Sequence, residues 1–310
     1  MTTYRRSPGS LSSKGNATAG RTTAETVWEA RPLEPITSTR NARIVEAVKL
    51  SQRKHRRRQG RFLVEGLQII AMALENGATP LEVFVTRSQF HGDTAPKLLA
   101  TMEHKGARIT EIAANVMARL SDREEPQGLV VAFALLQADL ADIVGPRADG
   151  SARADAPAPS LIVILDRLQD PGNLGTLIRT ADAVGALGIV LIEPCVDRFD
   201  SKTVSASMGS LFSLPIVLAD DPEAVVAALA KWTVVGADAH EGDLAWEGAG
   251  LEGSVALVLG NEARGLSPDL RPHVARWVRL PIVGKAESLN VAVAGGALAY
   301  EWLRRNRPPP

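Results

Sequence analysis

The chain has 310 residues, 45% of them hydrophobic, and its 35 Lys and Arg balance 35 Asp and Glu, so the formal net charge is zero. This composition suits a soluble globular protein with room for two domains. No apolar run approaches the ~18 residues needed to span a bilayer, and Cys195 has no partner for an intrachain disulfide, which excludes a membrane-spanning or disulfide-built protein.

The opening MTTYRRSPGSLSSKG carries charge but no apolar core, so no secretory signal is expected and a reducing, cytoplasmic setting fits. The five histidines, His55, His91, His104, His240 and His273, show no ligand spacing, and no metal site is expected. The neutral total hides an asymmetry. Residues 1–62 hold 14 Lys or Arg against 4 Asp or Glu, a balance of +10, while the remainder holds 21 against 31, a balance of −10. A chain divided this way points to an anionic partner at one end. The densest segment is RKHRRRQGR at 53–61. Its side chains suit phosphate neutralisation, although a solvated helix end or a basic arm would read the same.

Residues 1–37 lack apolar periodicity and read as a disordered basic tail. Residues 41–52 place Ile44, Val45 and Val48 at helical spacing. RFLVEG (61–66) reads as a strand, GLQIIAMALENG (66–77) as a helix stopping at Gly77, and LEVFVT (81–86) as a strand. A helix over 95–105, a strand ARITEI, a helix ANVMARLSD and a buried strand GLVVAFAL (128–135) complete an α/β domain over 38–137. Residues 138–159 hold GPRADGSARADAPAPS, whose Pro, Gly, Ala and Asp content marks a linker. A second α/β domain follows over 160–310. LIVILD (161–166), GIVLIEP (188–194), TVVGAD, the fully apolar SVALVLG (254–260) and RWVRLP are its strands. Helices are expected around 171–186, 201–210 and PEAVVAALAKW, with a final one over 288–305. Unbroken apolar strands indicate a parallel sheet covered on both faces.

Three loops of this second half carry the polar residues of interest: DPGNLGTLIRTADAVGA (170–186), GNEARGLSPDL (260–270) and LPIVGKAESLNVAVAGG (280–296). Each joins a strand-like run to a helix-like run, so the three converge where open parallel sheets place ligands, at the carboxyl ends of the strands. Along the first helix Leu174, Leu177, Ile178 and Ala181 form the packing stripe and Arg179 leaves it. Arg179 has Asp182 within reach for an ordinary surface pair. Ser267 followed by Pro268 is a helix-start signal. Ser288 is placed to cap the last helix, and Asn290 is unfavourable inside a helix start, which suggests another task. There is no GxGxxG after the first strand and no Walker Lys, so a dinucleotide or P-loop enzyme is not indicated.

In order and in residue content, these loops resemble the three motifs of the SpoU family of RNA 2′-O-ribose methyltransferases, the TrmH-like branch of the SPOUT superfamily; the resemblance covers about 160–305. Residues 40–137, with FLVEG and EEPQGLVVAF, are similar to the small ribosomal-protein-like RNA-binding domain that precedes this catalytic domain. The resemblance implies a trefoil-knotted α/β methyltransferase domain with the C-terminal helix threaded through a loop, and a homodimer formed through it. It implies S-adenosylmethionine as cofactor. Asn173, Arg179, Glu262, Ser288 and Asn290 are the catalytic candidates it gives, and Leu259, Gly260, Asn261, Leu280, Ile282, Ser288 and Leu289 the cofactor-binding ones. A guanidinium keeps its proton in water, so Arg179 is read as positioning phosphate and hydroxyl, with proximity supplying much of the rate. Lys54, Arg56, Arg57, Arg58 and Arg61 are the expected RNA contacts. The expected activity is methylation of a ribose 2′-hydroxyl in structured RNA, with 23S rRNA ahead of tRNA. A ribosome-assembly protein that binds RNA without turnover is the competing reading, and the intact loop residues argue against it.

Overall fold

The alternation of short apolar runs with helical stripes resolves into two sheets. The structure, a computed structural model, describes residues 34–145, 159–247 and 250–307. Residues 1–33 of the tail expected over 1–37, and most of the expected linker, lie outside those residues. Residues 34–37, assigned to the tail from sequence, join the fold: Ile36 bridges to Ile112, its N–H donating to the Glu111 carbonyl at 2.9 Å.

In the first half, α1 (Ala42–Val48) is capped by the Asn41 side chain and runs into a short 3₁₀ turn. A second helix, α2 (Arg53–Gln59), carries the basic run and ends at Gly60 in the left-handed conformation that favours glycine. Then follow β1 (Arg61–Glu65), α3 (Leu67–Glu75), β2 (Pro80–Val85), α4 (Thr94–His104), β3 (Arg108–Glu111), α5 (Ala114–Leu120) and β4 (Leu129–Ala134). The sheet order is β1-β4-β2-β3, with β4 antiparallel to both neighbours and β2 parallel to β3.

The expected linker does not begin at 138. A helix, α6 (Leu140–Val144), occupies its start, closed by a reciprocal capping box between Asp139 and Asp142. It buries Ile143 completely, in one cluster with Ile162, Val190 and Val217. The apolar residues of QADLADIV outweigh the loop-forming composition that begins only at Gly145.

The second half contains β5 (Leu161–Asp166), α7 (Pro171–Ala183), β6 (Gly188–Ile192), α8 (Ser201–Ala206), β7 (Ile216–Ala219), α9 (Pro222–Ala228), β8 (Thr233–Ala237), β9 (Asp243–Leu244), β10 (Val255–Leu259), β11 (Arg276–Arg279) and α10 (Val291–Asn306). Its seven strands run in the order β7-β6-β5-β10-β8-β11-β9, and every pair is parallel. Strands β5, β6 and β10 are buried at every position, as a sheet covered on both faces requires. The chain moves outward from β5 through β6 to β7, then returns to the other side of β5. That reversal puts the switch point, where such sheets bind ligands, between β5 and β10.

Two local expectations are corrected. Ser267-Pro268 starts no α-helix. Ser267 closes a turn by accepting from the Leu270 N–H, and a 3₁₀ turn over Arg271–His273 follows; Pro272 removes a donor that a longer helix would use. The last helix begins at Val291 rather than Ser288, and Asn290 is its cap.

The two sheets share one apolar core. Phe62 and Phe133 of the first sheet meet Phe199 and Phe212 of the second half, with ring centroids 4.5 Å apart for Phe62–Phe199 and 5.8 Å for Phe133–Phe212. The described residues from 34 to 307 accordingly form one compact unit.

Candidate active site

Each loop of interest leaves the carboxyl end of a parallel strand and is fixed by its own backbone before it contributes a side chain. After β5, Asp170 caps α7 by accepting the Asn173 N–H at 2.7 Å, with Pro171 in the first turn. Asn173 therefore sits in the first helical turn with its side chain free to reach outward. After β10, Asn261 folds the loop on itself. Its backbone pairs with Gly265 in both directions, and its Oδ1 accepts from the N–H groups of Ala263 and Arg264. Before α10, Asn290 Oδ1 accepts from Ala292 and Val293, which completes the helix cap.

The three loops are then joined to one another. Asn290 Nδ2 donates to Asn173 Oδ1 at 3.0 Å, and Asn173 Nδ2 donates to Glu262 Oε1 at 3.0 Å. One residue from each loop thus makes a hydrogen-bonded row across the switch point. Asn290 caps and links at once, which accounts for an asparagine where its helix propensity is poor.

Two residues behind this row carry no signal in the sequence reading. Asp166, fully buried at the end of β5, accepts the Ser267 N–H through Oδ2, and its Oδ1 lies 3.3 Å from Arg167 Nε. The Arg167 carbonyl accepts from Asn261 Nδ2 at 2.9 Å. Together they lock the loop after β5 to the loop after β10. An acid closing the apolar run LIVILD is the one sequence cue that could have found them.

Beside the row lies a cleft of about 370 Å³. All seven expected cofactor residues line it: Leu259, Gly260, Asn261, Leu280, Ile282, Ser288 and Leu289. Val278 and Leu298 add to its apolar wall, and Asp238, Glu262 and Glu287 supply carboxylates. No Lys or Arg lines it among the described residues. Burial works against the Asp238 charge, but the N–H groups of His240 and Glu241 and the nearby Arg271 guanidinium outweigh it and hold this carboxyl below its usual range. Asp238 and His240, just past β8, were missed because that strand end carries no recognisable motif.

Arg179 stands apart from the row. It is exposed on α7, and neither the surface pair with Asp182 nor any other side-chain hydrogen bond forms among the described residues. The stripe Leu174, Leu177, Ile178 and Ala181 is buried beneath it as expected. At Gly175 a Cβ would lie 2.5 Å from Ala206 Cβ and 2.6 Å from the Thr203 carbonyl, so this glycine lets α8 close on α7.

The basic run is divided by its helix. Arg53, Arg56 and Arg57 lie at i, i+3 and i+4 on one face of α2. Arg56 is corrected as an RNA contact: it is 4% exposed, and it donates to Asp197 Oδ2 from Nε and Nη2 and to the Leu50 and Ser51 carbonyls from Nη1. Arg61 is likewise held inward, by Glu82 at 2.9 Å and by Gln59. Arg58 pairs with Glu46 at 3.0 Å. Lys54 is exposed without an ion pair among the described residues, and Arg57 is 62% exposed beside Glu193.

Among the described residues no three or more His, Cys, Asp or Glu are grouped to hold a metal ion, and no helix is long and apolar enough to cross a membrane.

The sequence pattern of the SpoU rRNA Methylase family matches residues 160–300, and that of an MRM3-like substrate binding domain matches 41–131. The chain is 34% identical over 276 residues to a 23S rRNA (uridine(2479)-2′-O)-methyltransferase of Streptomyces viridochromogenes, covering 86% of this chain and 91% of that one. It is 30% identical to the 23S rRNA (guanosine(2553)-2′-O)-methyltransferase RlmP of Bacillus subtilis, covering 86% and 98%. Among solved structures, an AdoMet-bound rRNA methyltransferase from Sinorhizobium meliloti superposes with a TM-score of 0.76 at 31% identity, over 87% of this chain and 97% of that one.

Proposed function

Because the chain belongs to the SpoU rRNA methylase family, we propose that it methylates a ribose 2′-hydroxyl of ribosomal RNA, 23S rRNA first, with S-adenosylmethionine as methyl donor. The observation that carries this reading is the row Asn290–Asn173–Glu262, which ties three loops together beside an apolar cleft whose charged groups are carboxylates.

The cleft fits the donor on its own chemistry. Leu259, Leu280, Ile282 and Leu298 offer apolar walls to the adenosine part, and Asp238 and Glu287 complement a cation. When bound, S-adenosylmethionine supplies an electrophilic methyl group on a cationic sulfur. The chain's own task is positioning. Asn173 and Asn290 hold one another and Asn173 holds the Glu262 carboxylate, which lines the cleft together with Ser288. Arg179, exposed and without a partner among the described residues, is available to hold the phosphate beside the target ribose. Fixing the hydroxyl in line with the donor converts a bimolecular step into a local one, which supplies much of the rate in such a site.

In this reading residues 38–137 hold the RNA and residues 160–310 carry the chemistry, with the knotted path of the superfamily closed by α10. Two copies pair through the second half, in the cytoplasm. The exposed Val293 and Tyr300, two turns apart on α10, support a partner there. The test incubates the full chain with labelled S-adenosylmethionine and separate unmodified rRNA and tRNA pools, then digests the RNA to nucleosides for mass spectrometry. A 2′-O-methyl nucleoside from rRNA is expected. Product only from tRNA would replace the substrate, and cofactor binding with no product in either pool would favour a non-catalytic RNA-binding role.

A further inference from the structure

A second cleft, of about 300 Å³, lies in the seam between the two sheets. Arg53 and Arg57 of α2 form one wall, Asp197 and Arg198 of the loop after β6 another, and Leu136 and Leu218 are aliphatic lining. Four guanidinium groups meet here, those of Arg53, Arg56, Arg57 and Arg198, against the carboxylates of Glu193 and Asp197, which leaves two positive charges over.

Arg198 makes the surplus consequential. It is buried, donates to the Ile216 carbonyl from Nη1 and to the Leu136 carbonyl from Nη2, and forms no ion pair among the described residues. Its Nε has no hydrogen-bond partner. Burial pulls its pKa down, and the Asp197 charge only partly opposes this. A buried cation so placed is stabilised by an anion in the adjoining cleft. Arg56, by contrast, is satisfied by Asp197 and braces the wall, while Arg53 donates to the Cys195 carbonyl and shares the Glu193 carboxylate with Arg57. Arg57 is exposed, and its contact with Glu193, at 3.7 Å, is loose.

The seam opens at the same carboxyl end of the parallel sheet as the hydrogen-bonded row. It sits over β6 and β7, the row over β5 and β10, and these are successive neighbours in the sheet. Neighbouring strands stand ~4.8 Å apart, so adjoining loop clusters of this sheet are within reach of one strand of RNA. A cleft of about 300 Å³ is too small for a duplex, and guanidinium planes beside an aliphatic floor suit an unstacked base.

We infer that this seam is a second RNA subsite, taking an unpaired nucleotide of the substrate with its phosphate on Arg53 and Arg57 and its base against Leu136 and Leu218. The inference rests on the RNA substrate proposed above. It reassigns the role of the basic helix: one face clasps the second half of the chain, and the same face, where it borders the cleft, binds the phosphate.

The test measures affinity for rRNA against salt concentration, using the full chain. Arg53→Gln with Arg57→Gln should weaken binding at least tenfold at low salt and flatten the log–log salt slope by about 0.7 for each lost contact. Arg57→Gln alone should show about half that flattening, and because this side chain is largely exposed it guards against a mere loss of folding. Leu218→Glu, which puts a carboxylate on the cleft floor, should weaken binding in the same direction. Arg87→Gln, an exposed arginine elsewhere on the first half, should change neither quantity. If Arg57→Gln matches the wild type while the wild type methylates rRNA, the seam is not a site and the proposed function stands. Equal losses for Arg57→Gln and Arg87→Gln would mean diffuse charge and overturn the subsite. So would a nucleoside monophosphate that raises the wild-type melting temperature while Arg57→Gln leaves the RNA slope unchanged, because the cleft would then serve a small phosphate ligand. A wild type that neither binds nor methylates any RNA removes the proposed function and this inference together.

Discussion

The loop cluster and the basic helix are built on opposite principles. At the switch point, uncharged amides are committed to short, directional hydrogen bonds: Asn261 folds its own loop, Asn290 caps α10, and both also reach a neighbouring loop. Position along the chain largely fixes their task. On α2 the residues are nearly interchangeable in sequence, yet the helix gives Arg56, Arg57 and Arg58 three environments: buried on Asp197, loose at the seam, and paired with Glu46 on the surface. Directional groups carry their function in the motif, whereas long cations acquire it from the fold.

The sharpest way to break this comparison is at Arg179, a catalytic candidate that stands exposed on α7 like a surface cation. Arg179→Ala should lower methyl transfer by on the order of 10²-fold or more, the scale of a misplaced reactant, with S-adenosylmethionine affinity unchanged by calorimetry. Unaltered single-turnover rates would remove it from the site. On α2, Arg56→Ala should cost about 3 kcal/mol, because Asp197 and two carbonyls are left without their donor. Arg58→Ala should cost less than ~0.5 kcal/mol. Equal denaturation midpoints for the two would deny that the fold distinguishes them.

Two glycines in α10 sharpen the packing side. A Cβ on Gly295 would lie 2.4 Å from Leu259 Cδ1 and 2.7 Å from Leu177 Cδ2, both buried, so Gly295→Ala should destabilise by about 1–2 kcal/mol. At Gly296 the nearest atom is 3.8 Å away, and Gly296→Ala should stabilise the isolated chain by up to ~1 kcal/mol. Thermal melts of the pair decide it, and a loss at Gly296 as well would place another surface against that residue.

A smaller effect is expected from Glu82. Burial pushes its carboxyl up, but hydrogen bonds from Arg61, Thr110 and Arg43 outweigh that and hold it below its ordinary value of 4.5. A lowered pKa stabilises the fold above the unfolded-state value and ceases to do so as the pH falls through the folded-state value. Wild type should therefore exceed Glu82→Gln in melting temperature at neutral pH, and the gap should close in acid. A gap independent of pH would show that packing, not charge, sets the difference.

The inner strands of the second half were legible because unbroken apolar runs such as LIVILD and VALVLG admit little else in a covered parallel sheet, whereas the short edge strands β7 and β9 were not. The seven residues expected on the cofactor side sit on loops that the fold gathers around one cleft. Three further features were not legible. The helix α6 is a short capped segment whose apolar residues are meaningful only against β6 and α9. Asp166 and Arg167 act through contacts about a hundred residues away in sequence, with Ser267 and Asn261. The fate of each arginine on α2 depends on acids at 193 and 197, which no local pattern connects to residue 56.

The central claim is that three loops act as one unit, and a double-variant cycle on single-turnover methylation of rRNA tests it most directly. Asn290→Asp keeps an oxygen to cap α10 but removes the donor to Asn173, and Asn173→Ala removes the link to Glu262. If the row works as one device, the double variant should be no more than ~3-fold slower than the slower single variant, since the second change has nothing left to break. Losses that multiply would show two independent residues and contradict the account.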